Sequence, residues 1–237
     1  MLTLFTIPKA FEGHSNLIQR NALGSWLHLR PECEVILCGD DTGVAEVAAE
    51  SGVRHLPDIE RNEYGTPLLS SAFEQVRACA SYDLLCYVNA DIILLEDLIM
   101  AARLVPFSDF LVVGQRWNID LNSPWDFERT DWEERLRQLV AVQGSLADVH
   151  GADYFVFPRA GWVPDLPPFA VGRPGWDNWF IYTARTMRVP VVDATNSVLA
   201  IHQDHGYSHV PHRRGGKWQG PEGDRNYAIL GLSLIHI

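Results

Sequence analysis

Tyr82-Asp83-Leu84-Leu85-Cys86-Tyr87-Val88-Asn89-Ala90-Asp91-Ile92-Ile93-Leu94-Leu95 decides the fold: an apolar run halts at Asn-Ala-Asp and then resumes. Leu84 to Val88 is apolar without alternation, rich in aromatic and branched residues, and too short for a helix. These traits describe a strand buried on both faces. The residues after its end stand at the carboxyl edge of a sheet, where open α/β sheets gather ligands. Two oxygen-bearing side chains one residue apart, Asn89 and Asp91, suit a hard divalent cation carrying a diphosphate. An Asx turn closing the strand is the rival reading.

Outward from this stretch, strand and helix patterns alternate. Thr3 to Ile7 predicts a strand, Ser15 to Leu29 a helix, Val35 to Cys38 a strand and Gly43 to Ser51 a short helix. Val53 to Leu56 reads as a further strand, and Leu68 to Ala80 as the helix leading into Leu84. Such alternation predicts an α/β fold with a doubly wound, mostly parallel sheet and helices on both faces. The second half changes character. Short strands at Leu111 to Val113 and Tyr154 to Phe157 enclose a Trp-rich, acidic segment, Trp117 to Leu139, with a helix over Asp131 to Val142. Pro164, Pro167, Pro168 and Pro174 mark a loop, and long loops in compact domains commonly bind ligands.

With 237 residues and 47% hydrophobic content, residues 1–230 are read as one domain with one sizeable core. The formal charge of −11, from 19 Lys and Arg against 30 acids, excludes a phosphate-backbone partner such as nucleic acid. Cys33, Cys38, Cys79 and Cys86 form no C-x-x-C pair and read as buried free thiols, which favours a reducing, cytoplasmic setting. Met1 to Ile7 lacks a charged lead and meets Pro8, so it reads as a first strand rather than a signal peptide. No apolar run approaches the roughly 20 residues of a spanning helix. Residues 231–237 are set apart as a non-native or disordered tail, because Leu232 to Ile237 resembles translated adapter sequence.

Asn89-Ala90-Asp91 resembles the Asp-x-Asp motif of GT-A glycosyltransferases, in the Asn-Ala-Asp form of small bacterial-type, family 2-like members. The likeness runs in order from Thr6-Ile7-Pro8-Lys9, through Gly39-Asp40-Asp41 and Asn62-Glu63-Tyr64-Gly65-Thr66-Pro67, to Gly175-Trp176-Asp177-Asn178-Trp179 and Ile201-His202-Gln203-Asp204-His205. It covers most of the chain to about Ser208, and the order of the motifs carries it. The resemblance implies that Thr6, Ile7 and Pro8 flank the donor base through backbone, and that Asp40 or Asp41 contacts base or ribose. A helix N-cap is the alternative for either acid. Asn62 or Thr66 would face the donor, unless Thr66 caps a helix with Pro67 in its first turn.

Gly151 and Ala152 resemble the small residues that line the donor sugar, with Asp153 on sugar hydroxyls or in a local turn. Asp177 resembles the general base of inverting members, placed at a helix start, with N-capping as its rival. Trp176 offers an apolar platform for an acceptor sugar, beside Asn178. Asp91 and a C-terminal histidine, His202 first and His205 second, would hold Mn²⁺ or Mg²⁺. The cluster His202, His205, His209 and His212 also admits a structural zinc or plain surface polarity. Arg213, Arg214 and Lys217 would clamp the diphosphate, or else belong to a solvated tail.

The expected activity is transfer of a sugar from a nucleotide-sugar donor to a carbohydrate or other hydroxyl acceptor, with a divalent metal at the diphosphate. Two alternatives stand beside it. A sugar-phosphate nucleotidyltransferase would carry a Gly-rich basic loop after the first strand, whereas Lys9-Ala10-Phe11-Glu12-Gly13-His14 has one glycine and one lysine. A non-catalytic nucleotide-sugar or carbohydrate-binding module would keep ligand affinity without turnover.

Overall fold

The structure, a computed structural model, describes residues 1–149, 151–204 and 220–231, and the backbone alone at 213–214 and 217–218. In chain order the elements are β1 (Leu2–Thr6), α1 (Gly13–Leu27), β2 (Glu34–Cys38), α2 (Val44–Ser51), β3 (Arg54–Leu56), α3 (Leu69–Cys79) and β4 (Leu84–Val88). There follow β5 (Ile92–Ile93), α4 (Asp97–Leu104), β6 (Leu111–Val113), β7 (Trp117–Ile119), α5 (Trp132–Gln143), β8 (Ser145–Leu146) and β9 (Tyr154–Pro158). The last are α6 (Trp176–Thr186), β10 (Val191–Asp193), β11 (Ile201–Gln203), β12 (Arg213–Arg214), β13 (Lys217–Trp218) and α7 (Pro221–Leu230).

Seven strands form the main sheet in the order β10-β6-β9-β4-β1-β2-β3. All neighbours are parallel except β9, which runs antiparallel to both β4 and β6. The predicted mixed α/β sheet is thus present, with helices on both faces. β4 shows why its run does not alternate. Cys86 and Val88 enter the aliphatic cluster beneath α1, α2 and α4, while Leu85 and Tyr87 enter the cluster beneath α3 and α6. That second cluster is aromatic: Phe73 stacks on Phe157 at 5.5 Å between ring centres and meets Phe5 edge-on at 5.0 Å, and Phe180 lies edge-on to Phe157 at 5.4 Å.

A second sheet, β5-β11-β7-β8, packs its apolar side against α5 through Ile93, Ile119, Ile201, Leu136 and Val140. It hangs from the end of β4, because the chain re-enters structure as β5 only three residues after β4 stops. β11 is Ile201–Gln203, so His202 is inside it and paired with Ile92.

Candidate functional site

At the carboxyl end of β4 the chain turns tightly, with the Ile92 N–H donating to the Asn89 carbonyl at 3.1 Å. The backbone closes this turn, which leaves the Asn89 side chain for another partner. Its Nδ2 donates to Asp153 Oδ1 at 2.5 Å, and its main-chain N–H donates to the Asp153 carbonyl at 3.0 Å. Arg116 Nη1 donates to the other Asp153 oxygen, and Arg116 Nε to Asn118 Oδ1 at 3.1 Å. Asp153, 7% exposed, is therefore enclosed by protein donors, and the sugar-hydroxyl role expected of it gives way to a structural one. Gly151 is small for a local reason too: a Cβ there would stand 2.6 Å from the Cβ of Ala147.

Two residues on, Asp91 faces β11. His202 Nε2 lies 3.6 Å from Asp91 Oδ2, and His202 Nδ1 lies 3.5 Å from Asp204 Oδ1. Adjacent strand residues point to opposite sides, so Gln203 turns the other way, toward α1. There its Nε2 donates to the carbonyls of Asp91 at 3.0 Å and Ile18 at 2.8 Å, while its Oε1 accepts from Asn21 Nδ2 at 2.9 Å. Asn21 Oδ1 accepts from the Trp125 N–H at 2.9 Å. Gln203 is fully buried and Asn21 is 2% exposed, so every one of these bonds replaces water. Sequence reasoning missed Asn21, Gln203 and Arg116, since none lies in a motif that marks a polar residue as buried.

Asp177 sits in the first turn of α6. The N-cap is Gly175 at φ 110°, a conformation that favours glycine, so Asp177 is not the cap. Burial raises its carboxyl above the usual range, and the charge of Asp153 adds to this, against main-chain hydrogen bonds from Asn178, Asp177 and Gly175. Asn178 is exposed. Trp176 corrects its expected role: it is 7% exposed, with its ring centre 4.6 Å from Phe155 and 4.9 Å from Tyr87. Its faces belong to the core and offer no platform to a sugar.

The loop after β1 is fixed by Gln19, which accepts from the Lys9 N–H at 2.8 Å and donates to the Lys9 carbonyl at 3.0 Å. Thr6, Ile7 and Pro8 are buried. The Lys9 side chain reaches solvent, yet the protein around it lowers its ammonium pKa; Asp91 opposes that shift and Arg173 reinforces it. Lys9 and Arg173 thus bring positive charge to the Asp91 side of the edge. Asp40 and Asp41 share Arg61, at 2.5 and 3.4 Å, and its hydrogen bond holds Asp40 below its ordinary pKa. Neither acid caps α2, whose N-cap is Gly43 at φ 83°.

Asn62 and Thr66 differ from expectation. Asn62 Oδ1 accepts from the N–H groups of Tyr64 and Thr66 at 3.0 and 2.9 Å, and its Nδ2 donates to Glu222 Oε1 at 2.8 Å. With both ends of its amide taken, Asn62 closes a turn rather than facing a donor. The Thr66 side chain lies beside the same carboxylate, and Arg173 Nη2 donates to Glu222 Oε2 at 2.6 Å. Burial would raise the Glu222 carboxyl, but these three neighbours outweigh it and hold the pKa below the ordinary value. Pro67 is paired with Arg61 in a β-bridge, and α3 starts only at Leu69 without a side-chain cap. Helix α7 carries its own start signal, with Pro221 at its first position and Glu222 and Asp224 in its first turn.

His150, His205, His209 and His212 lie outside the described residues, as do the side chains of Arg213, Arg214 and Lys217 and the tail 232–237. Among the described residues, no group of three or more His, Cys, Asp or Glu is placed to hold a metal. Asp91 and His202 are thus a two-residue donor set. Their fit to a cation is sound: ligands about 2.1 Å from one ion, at angles of about 90° to 120°, stand about 3.0 to 3.6 Å apart. Mg²⁺ and Mn²⁺ commonly take one or two protein ligands and complete their shell with phosphate oxygens and water.

No protein-family model matches the sequence, and no curated protein matches it. Solved structures do. Glucosyl-3-phosphoglycerate synthase from Mycobacterium tuberculosis, in complex with Mg²⁺ and UDP, superposes with a TM-score of 0.54 at 15% identity, over 100% of this chain and 80% of that one. Its complex with Mn²⁺, UDP-glucose and phosphoglyceric acid gives the same values. A Desulfovibrio desulfuricans G20 protein that carries the provisional name nucleotide-diphospho-sugar transferase matches with a TM-score of 0.54 at 11% identity, over 99% of this chain and 96% of that one. The chain therefore has the GT-A-like α/β fold of these nucleotide-diphospho-sugar transferases.

Proposed function

We propose that residues 1–230 form a glycosyltransferase that moves a sugar from a nucleotide-diphosphate donor to a carbohydrate or other hydroxyl acceptor. The observation that carries this reading is the meeting of Asp91 and His202, 3.6 Å apart, at the carboxyl edge of a GT-A-like sheet. The neighbours of the same fold that hold UDP with Mg²⁺ or Mn²⁺ support it. Asp91 and His202 would hold Mn²⁺ or Mg²⁺, with His205 a further candidate. Such a cation neutralises charge on the departing diphosphate. Lys9 and Arg173 add protein cations on the same side of the edge, where they attract the donor's phosphates.

The donor base lies against the backbone of Thr6, Ile7 and Pro8, with Asp40 and Asp41 at the ribose, in this reading. Asn89 and Ala90 border the diphosphate. Asp177 takes the proton of the attacking acceptor hydroxyl, and its raised pKa makes it a stronger base than an ordinary aspartate. Asn178, exposed beside it, would bind the acceptor. Free thiols at Cys33, Cys38, Cys79 and Cys86 fit a reducing setting such as the cytoplasm, and no described helix is long and apolar enough to cross a membrane.

The test is release of nucleoside diphosphate from UDP-, GDP- and dTDP-sugars by the purified protein, with Mn²⁺ and then with EDTA. We expect release from one donor, lost in EDTA. Silence across the panel, with no thermal stabilisation by any nucleotide, overturns the reading.

A further inference from the structure

The first position of the motif holds a neutral amide where a carboxylate is the commoner choice for a cation, and the fold supplies a reason. β4 and β9 are antiparallel with Val88 opposite Tyr154, so the residue leaving β4 and the residue entering β9 meet at the next rung. Those residues are Asn89 and Asp153, joined by a side-chain bond at 2.5 Å and a main-chain bond at 3.0 Å. Asp153 is 7% exposed, and its second oxygen is held by Arg116. A carboxylate at position 89 would face the Asp153 carboxylate across the same short gap, where solvent screens little and like charges repel strongly. An amide has a donor on one side and an acceptor on the other. Giving its NH₂ to Asp153 turns the Asn89 carbonyl away from β9.

We propose that Asp153, held by Arg116, is a positioning residue that fixes the Asn89 amide with its carbonyl oxygen toward the donor, so that residues 89 and 153 can exchange amide and carboxylate only as a pair. The pairing stands on geometry alone, while the donor-facing direction rests on the function proposed above. It follows that converting the motif to Asp-Ala-Asp impairs the site instead of strengthening it. The added charge meets Asp153 before it meets any ligand.

Four proteins test this: wild type, Asn89→Asp, Asp153→Asn and the exchange variant carrying both changes. Thermal midpoints are measured without ligand, then with UDP, GDP or dTDP, each with Mn²⁺. Each single change is expected to lower the ligand-free midpoint by about 3 to 6 °C and to weaken the best nucleotide about tenfold. The exchange variant should recover at least half of both losses, which a general loss of packing at either residue would not allow. If Asp153→Asn does not fold, Asn89→Asp against the exchange variant still decides the matter. An Asn89→Asp protein as stable and as responsive as wild type overturns the pairing, as does an exchange variant no better than the sum of its single changes. Coupled midpoints in proteins that respond to none of the nucleotides overturn the donor-facing part and the proposed function together. Intact nucleotide response without coupling overturns the pairing and leaves that function standing.

Discussion

Asp91 and Asp177 reach the same edge of the sheet, yet opposite physics holds them there. Asp177 follows Trp176, whose ring is locked among Phe73, Tyr87 and Phe155 on the aromatic face. Asp91 is anchored by its own carbonyl to fully buried Gln203, which ties it to Ile18 and Asn21 of α1 on the aliphatic face. The first hold is apolar and forgiving of direction. The second is polar and fails if a single partner leaves, because the remaining donors and acceptors stay buried without water. One residue is thus placed chiefly by the packing of its neighbour, the other by hydrogen bonds to its own backbone.

The sharpest break removes the carboxylates themselves. Asp177→Asn is expected to reduce turnover about 10²- to 10⁴-fold, the usual worth of a general base. Its stability should move the other way. The folded-state pKa of Asp177 lies above the ordinary 3.8, so the folded protein holds that proton more tightly than the unfolded chain, and stability falls as pH rises through the folded value. The asparagine variant escapes this loss. Its midpoint at pH 7 should exceed that of wild type, with the gap closing below pH 3.8, and thermal melts across pH 3 to 8 check it. Asp91→Asn should lose turnover about 10²- to 10³-fold by weakening metal-assisted departure of the diphosphate.

The supports come next. Trp176→Ala removes a buried ring and should cost about 3 to 5 kcal/mol, read by urea unfolding, while nucleotide binding survives in the fraction that folds. Gln203→Leu keeps volume but removes a buried partner from the Asp91 carbonyl, the Ile18 carbonyl and Asn21, whose Nδ2 still donates to the Ser123 carbonyl. It should cost about 2 to 3 kcal/mol and, unlike Trp176→Ala, should weaken nucleotide affinity more than turnover of bound donor. If both variants damage the same kinetic constant, the two holds are not separate. The smallest effect is expected from Glu222→Gln, which loses the Arg173 pair and should cost about 1 kcal/mol at pH 7. Glu222 has a depressed pKa, so its contribution is present above the ordinary 4.5 and disappears as pH falls through the folded value.

The same contrast governs what could be read from the residues. β4 and the helices up to Cys79 were legible because a strand buried on both faces and an amphipathic helix each leave a period in the sequence. β7 and β8 sit in a Trp-rich, polar segment that lacks the apolar run which marks β6, and α4 was hidden in the apolar run that follows Asp91. Asn89 and Asp91 were singled out by their place after a recognisable strand, and Asp177 and His202 by the family resemblance. Trp176 was misjudged because an aromatic residue beside an acid looks the same whether it stacks on a sugar or on Tyr87. Gln203 and Asn21 could not be paired by inspection, since a hydrogen bond between residues 182 positions apart leaves no local trace.

That separation has a consequence for how the molecule comes into being. The bond from Asn89 to Asp153 spans 64 residues, and the one from Gln203 to the Asp91 carbonyl spans 112. During synthesis the first four strands and their helices leave the ribosome together and can begin to assemble, whereas Asp91 has no anchor until β11 has been made. The site therefore matures later than the first strands of the sheet. A nucleotide that binds this edge selects molecules in which β11 has docked, and its binding reports that docking better than any probe of the first four strands.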